Sequence, residues 1–277
     1  MTRITAKFTG LKEKGEKALV AFITAGDPDI ETTESLIVEL EGAGADIIEL
    51  GIPFSDPMAD GPTIQASSER ALARGVTLKD VLALVERARK KTDIPIVLFG
   101  YYNPIFAFGL RRFARAARAA GADGVLVVDL PPEEADELKC ELDSVGLDMI
   151  FLLTPTSDSR RMRLAAQKGS GFVYYVSLTG VTGARKKLSA DIPGYVKRIR
   201  RFTDLPVGVG FGISTPEQAA RVGRSADGVI VGSAIVNVIA RGSGGKNLVA
   251  DVAEFVASLK KGLTGAHGRA GARRPGR

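Results

Sequence analysis

The stretch AGADIIELGIPFSDPMADGP, residues 43–62, contains the end of a predicted helix, one predicted strand and the start of a loop. Residues 43–45 are typical of a helix end, and residues 46–50 form a short apolar run that is typical of a buried parallel strand. Prolines at positions 53, 57 and 62 stiffen the loop that follows. The beginning of the stretch recurs, since Ala-Gly-Ala-Asp stands again at 120–123 and Ser-Ala-Asp at 225–227.

Apolar, β-branched runs of this kind recur along the chain, with helical patterns between them. They span residues 18–24, 46–50, 94–99, 124–130, 148–153, 172–177, 206–209 and 228–231. Eight strands that alternate with helices predict an α/β fold, the (β/α)8 or TIM barrel, and residues 4–15 predict an extra helix before the first strand. A doubly wound sheet is the alternative, but Thr24–Pro28 is not the Gly-x-Gly-x-x-Gly turn that such a sheet needs.

The domain boundary is set by the composition of the C-terminal end. Residues 1–263 predict one barrel domain, and residues 264–277 predict a disordered basic tail that is rich in glycine. The tail contains four arginines and no acidic residue, so it supplies four of the six net positive charges. The rest of the chain is nearly balanced in charge. Nucleic-acid binding by the tail is the alternative to a solvated extension, and we expect no nucleic-acid partner.

Several classes of protein are disfavoured by composition. No apolar run reaches the roughly 18 residues of a membrane helix, and the N-terminus lacks the apolar core of a signal peptide. A single cysteine, Cys140, is consistent with a reducing compartment, so we expect a cytoplasmic location and no membrane partner. His267, the only histidine, lies in the tail, which argues against a zinc site or a catalytic triad.

Two carboxylates are candidates for acid–base chemistry. Active sites of such barrels lie where strands end and the following loops begin. Glu49 stands near the end of the second predicted strand, between apolar neighbours, and Asp60 lies in the loop beyond it. A carboxylate in an apolar strand is costly unless it has a role, and two carboxylates in different environments can hold their protons differently. No lysine stands at a predicted strand end, which disfavours Schiff-base chemistry.

Glycine motifs after the last strands predict a phosphate site. Residues 210–214, Gly-Phe-Gly-Ile-Ser, and residues 232–233, Gly-Ser, leave backbone N–H groups accessible to an anion. Barrels commonly bind phosphate between strands 7 and 8, at the start of a helix. Simple turns are the alternative for each motif. The loop 178–188, with its basic run at 185–187, is predicted to be a lid, the alternative being an ordinary solvated loop.

The aromatic and aliphatic residues near these strand ends either line a pocket or fill the barrel. They are Phe22, Leu98, Phe99, Tyr101 and Tyr174. A pocket of this kind beside a phosphate site and two carboxylates predicts acid–base chemistry on a flat, apolar phosphate ester.

Several motifs together resemble the tryptophan synthase alpha subunit family. They are residues 50–62 (LGIPFSDPMADGP), 22–27 (FITAGD), 101–104 (YYNP), 180–183 (GVTG), 210–214 (GFGIS) and 232–235 (GSAI). The resemblance runs from about residue 4 to residue 261 and leaves out only the basic tail. One position departs from many bacterial members of the family, because Leu178 stands in the lid where they have arginine.

The resemblance implies a lyase that cleaves indole-3-glycerol phosphate to indole and glyceraldehyde 3-phosphate without a metal or an imine. Glu49 matches the acid–base residue of the family, Asp60 the carboxylate that stabilises charge on the indole N–H, and Thr182 the lid residue that contacts this aspartate. The implied phosphate-binding residues are Gly183, Gly212, Ile213, Gly232 and Ser233. The implied indole pocket comprises Phe22, Leu98, Tyr101, Tyr174 and Phe211.

The resemblance also implies a partner. Alpha subunits of this family pair with a pyridoxal-phosphate (PLP) beta subunit in an α2β2 complex, and the loop 53–62 is the expected contact surface. The chain itself is expected to need no cofactor. A stand-alone indole-releasing enzyme, a partner-activating subunit without turnover and a metal-free sugar-phosphate isomerase or epimerase are the alternatives.

Overall fold

The computed structural model describes residues 1–176, 191–210 and 212–265. Within these ranges the chain forms eight strands and twelve helices. The strands are β1 (Ala18–Thr24), β2 (Ile47–Gly51), β3 (Ile96–Gly100), β4 (Gly124–Val127), β5 (Asp148–Leu153), β6 (Val173–Val176), β7 (Val207–Gly210) and β8 (Gly228–Val231). The helices are α1 (Arg3–Glu13), α2 (Ile30–Gly42), α3 (Pro62–Ala73), α4 (Leu78–Arg89), α5 (Tyr102–Phe108), α6 (Leu110–Ala120), α7 (Asp136–Val145), α8 (Ser159–Lys168), α9 (Ile192–Ile199), α10 (Pro216–Gly223), α11 (Ser233–Gly242) and α12 (Leu248–Gly265).

The strands close into a barrel. Each strand pairs in parallel with the next, and β8 pairs with β1, so the prediction of a (β/α)8 barrel with an extra N-terminal helix is confirmed. One predicted strand is too long, because β4 ends at Val127 and not at residue 130. A turn follows instead, in which the Leu130 N–H donates to the Val127 carbonyl and the Asp129 carboxylate accepts the Tyr102 N–H at 2.8 Å.

The apolar core has two layers that alternate along the strands. Residues facing the helices form the larger layer, and residues facing the barrel axis form a smaller one that α1 covers from below. Phe8 of α1 packs on Phe172 at the start of β6, with their ring centroids 5.6 Å apart. The lower end of the barrel is therefore filled by side chains, and a cavity inside the barrel must lie at the upper end, where the strands finish.

The recurrent aspartates at the lower end have a common structural role. The side chain just before an even-numbered strand accepts the backbone N–H near the start of the preceding odd-numbered strand. The contacts are Asp46 with Leu19 (2.8 Å), Asp123 with Ile96 (2.9 Å), Ser170 with Met149 (3.0 Å) and Asp227 with Val207 (3.0 Å). The faint sequence repeat is therefore a repeat of strand capping.

Basic side chains complete three of these caps. Lys260 of α12 donates to Asp46 at 2.7 Å. Asp123 accepts from Arg89 at 3.0 Å and from Arg3 at 3.1 Å, and Arg200 donates to Asp227 at 2.9 Å. The caps therefore tie the surrounding helices to the strand starts as well as tying the strands together.

The last helix extends slightly beyond the predicted domain boundary, because α12 includes residues 264 and 265. The rest of the predicted tail, residues 266–277, lies outside the described residues. None of the described helices is long and apolar enough to cross a bilayer.

Candidate active site

A cavity of about 200 Å³ opens at the upper end of the barrel. Its walls bring together carboxylates, aromatic rings and glycine-rich turns from distant parts of the sequence. The lining residues are Phe22, Glu49, Asp60, Ile64, Phe99, Tyr174, Gly212, Ile213, Ser214, Ile230, Gly232, Ser233, Ala234 and Asn237. Both predicted catalytic carboxylates thus share one cavity with four of the five predicted phosphate-binding residues.

Glu49 is held on the inner face of β2, where it is fully buried. Its register neighbours are Phe22 on β1 and Val97 on β3, both apolar. Neither carboxylate oxygen has a hydrogen-bond partner among the described residues. Burial of the charge raises the pKa of Glu49 to about 8, so the group carries a proton at neutral pH.

Asp60 lies in the loop between β2 and α3. Hydrogen bonds hold its backbone on both sides, at the N–H and at the carbonyl. The Asp60 N–H donates to the Pro57 carbonyl at 3.0 Å, and the Gln65 side chain donates to the Asp60 carbonyl at 2.8 Å. The hydroxyl of Tyr101 donates to the carboxylate atom Oδ2 at 3.0 Å. Burial raises the pKa of Asp60 to about 6, and the Tyr101 hydrogen bond opposes that rise, so Asp60 is mostly ionised at neutral pH.

The two carboxylates therefore differ in protonation at the same pH. Glu49 holds its proton because it is fully buried and has no described hydrogen-bond partner. Asp60 keeps its charge because it is less deeply buried and accepts one hydrogen bond. Tyr174 stands near both, and its pKa is raised well above the usual value, first by burial and then by the charges of the two carboxylates. The cavity thus offers one proton donor, one anion and one neutral phenol.

The opposite wall is suited to an anion. Gly212 has a positive φ of 71°, a conformation that favours glycine, and it turns residues 212–214 along the cavity. Gly232 is the N-cap of α11, and Ser233 and Ala234 are its first residues, so the positive end of this helix faces the cavity. No lysine or arginine is among the lining residues of the described chain, so an anion here is held by backbone N–H groups and the helix dipole.

Aromatic rings form the remaining wall. Phe22 and Phe99 meet edge to face, with centroids 5.1 Å apart and planes at 77°. A second cavity of about 440 Å³ opens beyond them and shares Asp60, Phe99 and Tyr174 with the first. A flat apolar group at this wall therefore lies against rings on one side and beside the Asp60 carboxylate.

Comparison with known proteins identifies the family. A family model described as tryptophan synthase alpha chain matches residues 8–264. The chain belongs to the tryptophan synthase alpha chain family. It is 60% identical to the tryptophan synthase alpha chain of Geobacter sp. (strain M21) over 263 residues, which cover 95% of this chain and 98% of that protein. It is 61% identical to the tryptophan synthase alpha chain of Citrifermentans bemidjiense, with the same coverage.

Solved structures agree with this assignment. Subunit alpha of tryptophan synthase from Legionella pneumophila superposes with a TM-score of 0.87 at 41% identity, covering 96% of this chain and 99% of that one. A chain of tryptophan synthase from M. tuberculosis, solved in an aminoacrylate-bound form, superposes with a TM-score of 0.85 at 35% identity, covering 95% of this chain and all of that one.

Most of the indole-pocket residues expected from the tryptophan synthase alpha family are placed in the cavity or beside it, but Leu98 is not. Phe22 and Tyr174 line the cavity, whereas Leu98 is buried in the outer layer against the helices. The prediction for Leu98 is wrong by one position, since alternate residues of a strand face opposite sides and Phe99 is the one that faces inward. Val97 on β3 pairs in register with Glu49, which faces the cavity. Phe99 follows Val97 by two positions and therefore faces the same side, which is the signal that identifies it.

Tyr101 also differs from its expected place in the tryptophan synthase alpha pocket. It is buried and contacts Asp60, but it is not among the residues that line either cavity. Thr182, Gly183 and Phe211 lie outside the described residues. Sequence reasoning did not name Ile64, Ser214, Ile230, Ala234 or Asn237 as site residues. The helical period could have found Asn237, because it follows Ser233 by four positions on α11.

Proposed function

We propose that this chain cleaves indole-3-glycerol phosphate to indole and glyceraldehyde 3-phosphate, as the alpha subunit of tryptophan synthase. The observation that carries the assignment is Glu49, a fully buried carboxyl group with no described partner, in a cavity whose other walls suit a phosphate and an aromatic ring. Family membership supports the same reaction.

Substrate placement follows from the charges of the walls. The phosphate binds at residues 212 and 213 and at the start of α11, where backbone N–H groups are the donors. The indole ring lies against Phe22, Phe99 and Tyr174, with its N–H toward Asp60. The glycerol carbons then span the cavity past Glu49.

The first chemical step is a proton transfer from Glu49 to carbon C3 of the indole ring. Glu49 can donate at neutral pH because burial raises its pKa to about 8. Protonation leaves a positive charge on the ring that is shared by the ring nitrogen. Asp60 is ionised at this pH and accepts the ring N–H, which stabilises the charge as it develops.

The second step breaks the carbon–carbon bond. The Glu49 carboxylate removes the proton of the hydroxyl group on the side-chain carbon attached to C3, and that oxygen forms the aldehyde. The bonding electron pair returns to the ring, so indole leaves neutral and Glu49 regains its proton. No lysine is among the lining residues of the described chain, so the step proceeds without an imine there.

We further propose that the chain works with a PLP-containing beta subunit in an α2β2 complex, to which it passes indole, and needs no cofactor itself. The loop 53–62 supports a docking surface at the cavity mouth, because it carries Asp60 and the side chain of Met58, which is 79% exposed. Phe106 of α5, which follows β3 at the same end, is 57% exposed. A cytoplasmic location, in which Cys140 stays a free thiol, is part of this proposal.

The deciding experiment measures indole release from indole-3-glycerol phosphate, with and without a cognate beta subunit. Slow release that rises sharply with the beta subunit supports the complexed lyase, and fast release by the chain alone indicates a stand-alone enzyme. Glu49→Gln is the matched control, because it removes the exchangeable carboxyl proton with almost no change in shape. Absence of release in both mixtures overturns the proposed reaction, and turnover of simple pentose phosphates would then indicate an isomerase or epimerase.

A further inference from the structure

Tyr101 contacts the loop that carries Asp60 in three ways. Its hydroxyl donates to Asp60 Oδ2 at 3.0 Å and accepts the backbone N–H of Ala59 at 3.1 Å. Its ring packs against Phe54 of the same loop, with centroids 5.2 Å apart. Tyr101 itself lies at the start of α5, directly after β3, and is buried. A rigid element of the barrel therefore holds a loop that comes from the neighbouring strand.

These contacts leave the two oxygens of Asp60 in different situations. Oδ2 accepts the phenol, whereas Oδ1 has no hydrogen-bond partner among the described residues. The carboxylate also lines both cavities, so its remaining oxygen is the one available to a ligand. A carboxylate fixed through one oxygen can turn only about that bond, which limits where the other oxygen points.

We propose that Tyr101 is a positioning residue for Asp60, whose phenol fixes one carboxylate oxygen so that the other meets the N–H of the indole ring. This inference rests on the proposed function. Tyr101 lines neither cavity, so it acts on the substrate through the aspartate. The site thus has a carboxylate whose orientation is set before the substrate enters.

The charges around this pair favour the same arrangement. Among the described residues, Tyr174 on β6 lies close enough to Asp60 to feel its charge, Asp129 in the loop after β4 acts in the same way on Tyr101, and Glu49 on β2 lines the same cavity as Asp60. Burial and the negative charges of Asp60 and Asp129 raise the pKa of Tyr101, so the phenol stays protonated and remains a donor. Its hydrogen bond in turn lowers the pKa of Asp60 and keeps the carboxylate ionised.

The test uses Tyr101→Phe, which keeps the ring that packs on Phe54 and removes only the hydroxyl. Tyr102→Phe is the matched control, because the neighbouring hydroxyl makes no hydrogen bond to the described residues. We expect Tyr101→Phe to lower kcat for indole release roughly 10-fold, the usual loss for one hydrogen bond to a charged group. We expect Tyr102→Phe to stay within about 2-fold of the unchanged chain.

Two further measurements separate positioning from a merely structural role. The first is the pKa of Asp60 by carbon NMR of the labelled carboxyl, which needs no turnover and should rise in Tyr101→Phe. The second repeats the hydroxyl deletion in an Asp60→Asn background, where its effect on kcat should shrink to about 2-fold or less, since the group it acts through has changed.

The outcomes distinguish this inference from the proposed function. If the unchanged chain releases indole but the Asp60 pKa and kcat are the same in Tyr101→Phe, the positioning role is overturned and the lyase stands. If the unchanged chain releases no indole, the lyase assignment and the positioning role for it both fail, and the NMR result then reports only on the hydrogen bond. An equal loss of kcat with and without Asp60 also overturns the inference.

Discussion

Buried carboxylates at the lower end of the barrel and those that line the cavity at its upper end are treated in opposite ways. At the lower end, Asp46 and Asp123 are buried, and each accepts a backbone N–H and at least one basic side chain. Asp148, also buried, accepts the hydroxyl of Thr2 at 2.6 Å. At the upper end, Glu49 has no described partner and Asp60 accepts only a neutral phenol at its carboxylate. The paired carboxylates hold the fold together, and the unpaired ones are kept for the ligand.

The burial of Glu49 without a partner lowers the free energy of unfolding by an amount that depends on pH. The pKa of Glu49 is about 8 in the folded chain and 4.5 for a glutamate exposed to water, so the folded state holds a proton that the unfolded state releases between these values. Stability therefore falls as pH rises through this window, and the penalty at pH 7 is about 3 kcal/mol. Glu49 thus lowers the free energy of unfolding at the pH where the proposed reaction needs it.

The strongest test of the contrast is Glu49→Gln, for which activity and stability should move in opposite directions. We expect turnover to fall by about 10²–10⁴-fold, the usual contribution of a general acid–base group. We expect the free energy of unfolding at pH 7 to rise by about 3 kcal/mol, because the variant cannot ionise. Indole release and urea denaturation measure the two effects, and a variant that is both less active and less stable would contradict the comparison.

At the lower end, Asp123→Asn should have the reverse effect. The substitution keeps the shape but removes the charge that Arg89 and Arg3 contact. We expect a loss of about 3 kcal/mol in the free energy of unfolding, because Arg89 is largely buried and would lose its counter-charge. Turnover of the folded variant should stay within about 2-fold of the unchanged chain. A large loss of kcat with unchanged stability would show that the two ends are not separate in function.

The difference between Glu49 and Asp60 predicts a bell-shaped dependence of kcat/KM on pH. Activity should fall below about pH 6 as Asp60 takes up a proton, and above about pH 8 as Glu49 loses the one it donates. Each limb should approach a roughly tenfold change per pH unit. Because a substrate phosphate also titrates near pH 6, Asp60→Asn is the control, and an acid limb that persists unchanged in it would assign that limb to the substrate.

The smallest effect is expected where a carboxylate is paired but exposed. Lys139 and Asp143 lie one turn apart on α7, with an N–O distance of 2.5 Å, and the Asp143 side chain is 54% exposed. Asp143→Asn should change the free energy of unfolding by less than about 0.5 kcal/mol, since surface ion pairs contribute little and the Asp143 side chain is the exposed partner. A loss near that of Asp123→Asn would mean that burial is not what separates the two classes.

Much of the architecture could be predicted from the sequence, because parallel barrel strands are short apolar runs between helical patterns. Which residues of each strand face the barrel interior could not be predicted. In β3, residues on both faces are apolar, since one face meets the helices and the other the barrel interior, so Leu98 and Phe99 are indistinguishable by composition. In β2 the single acid, Glu49, marks the inner face, so its place at the cavity could be predicted from the sequence.

Site features that depend on a few neighbouring residues could be predicted, whereas contacts between distant residues could not. The glycine turns at 212 and 232 each carry their own signal, because the residue and its conformational role coincide. The contact between Asp60 and Tyr101 joins positions that are 41 residues apart through the register of β2 and β3, which no local pattern records. Strand pairing, more than residue type, therefore decides which expected pocket residues reach the cavity.

The strand caps at the lower end also bear on how the barrel reaches a single closed form. Each cap joins the start of one strand to the start of its neighbour, so a slip of either strand by one residue would separate a backbone N–H from its acceptor. Such a slip would also turn inward-facing side chains toward the helices. The four caps therefore act as checks on alignment, and misaligned barrels are disfavoured during folding even where their apolar burial is similar.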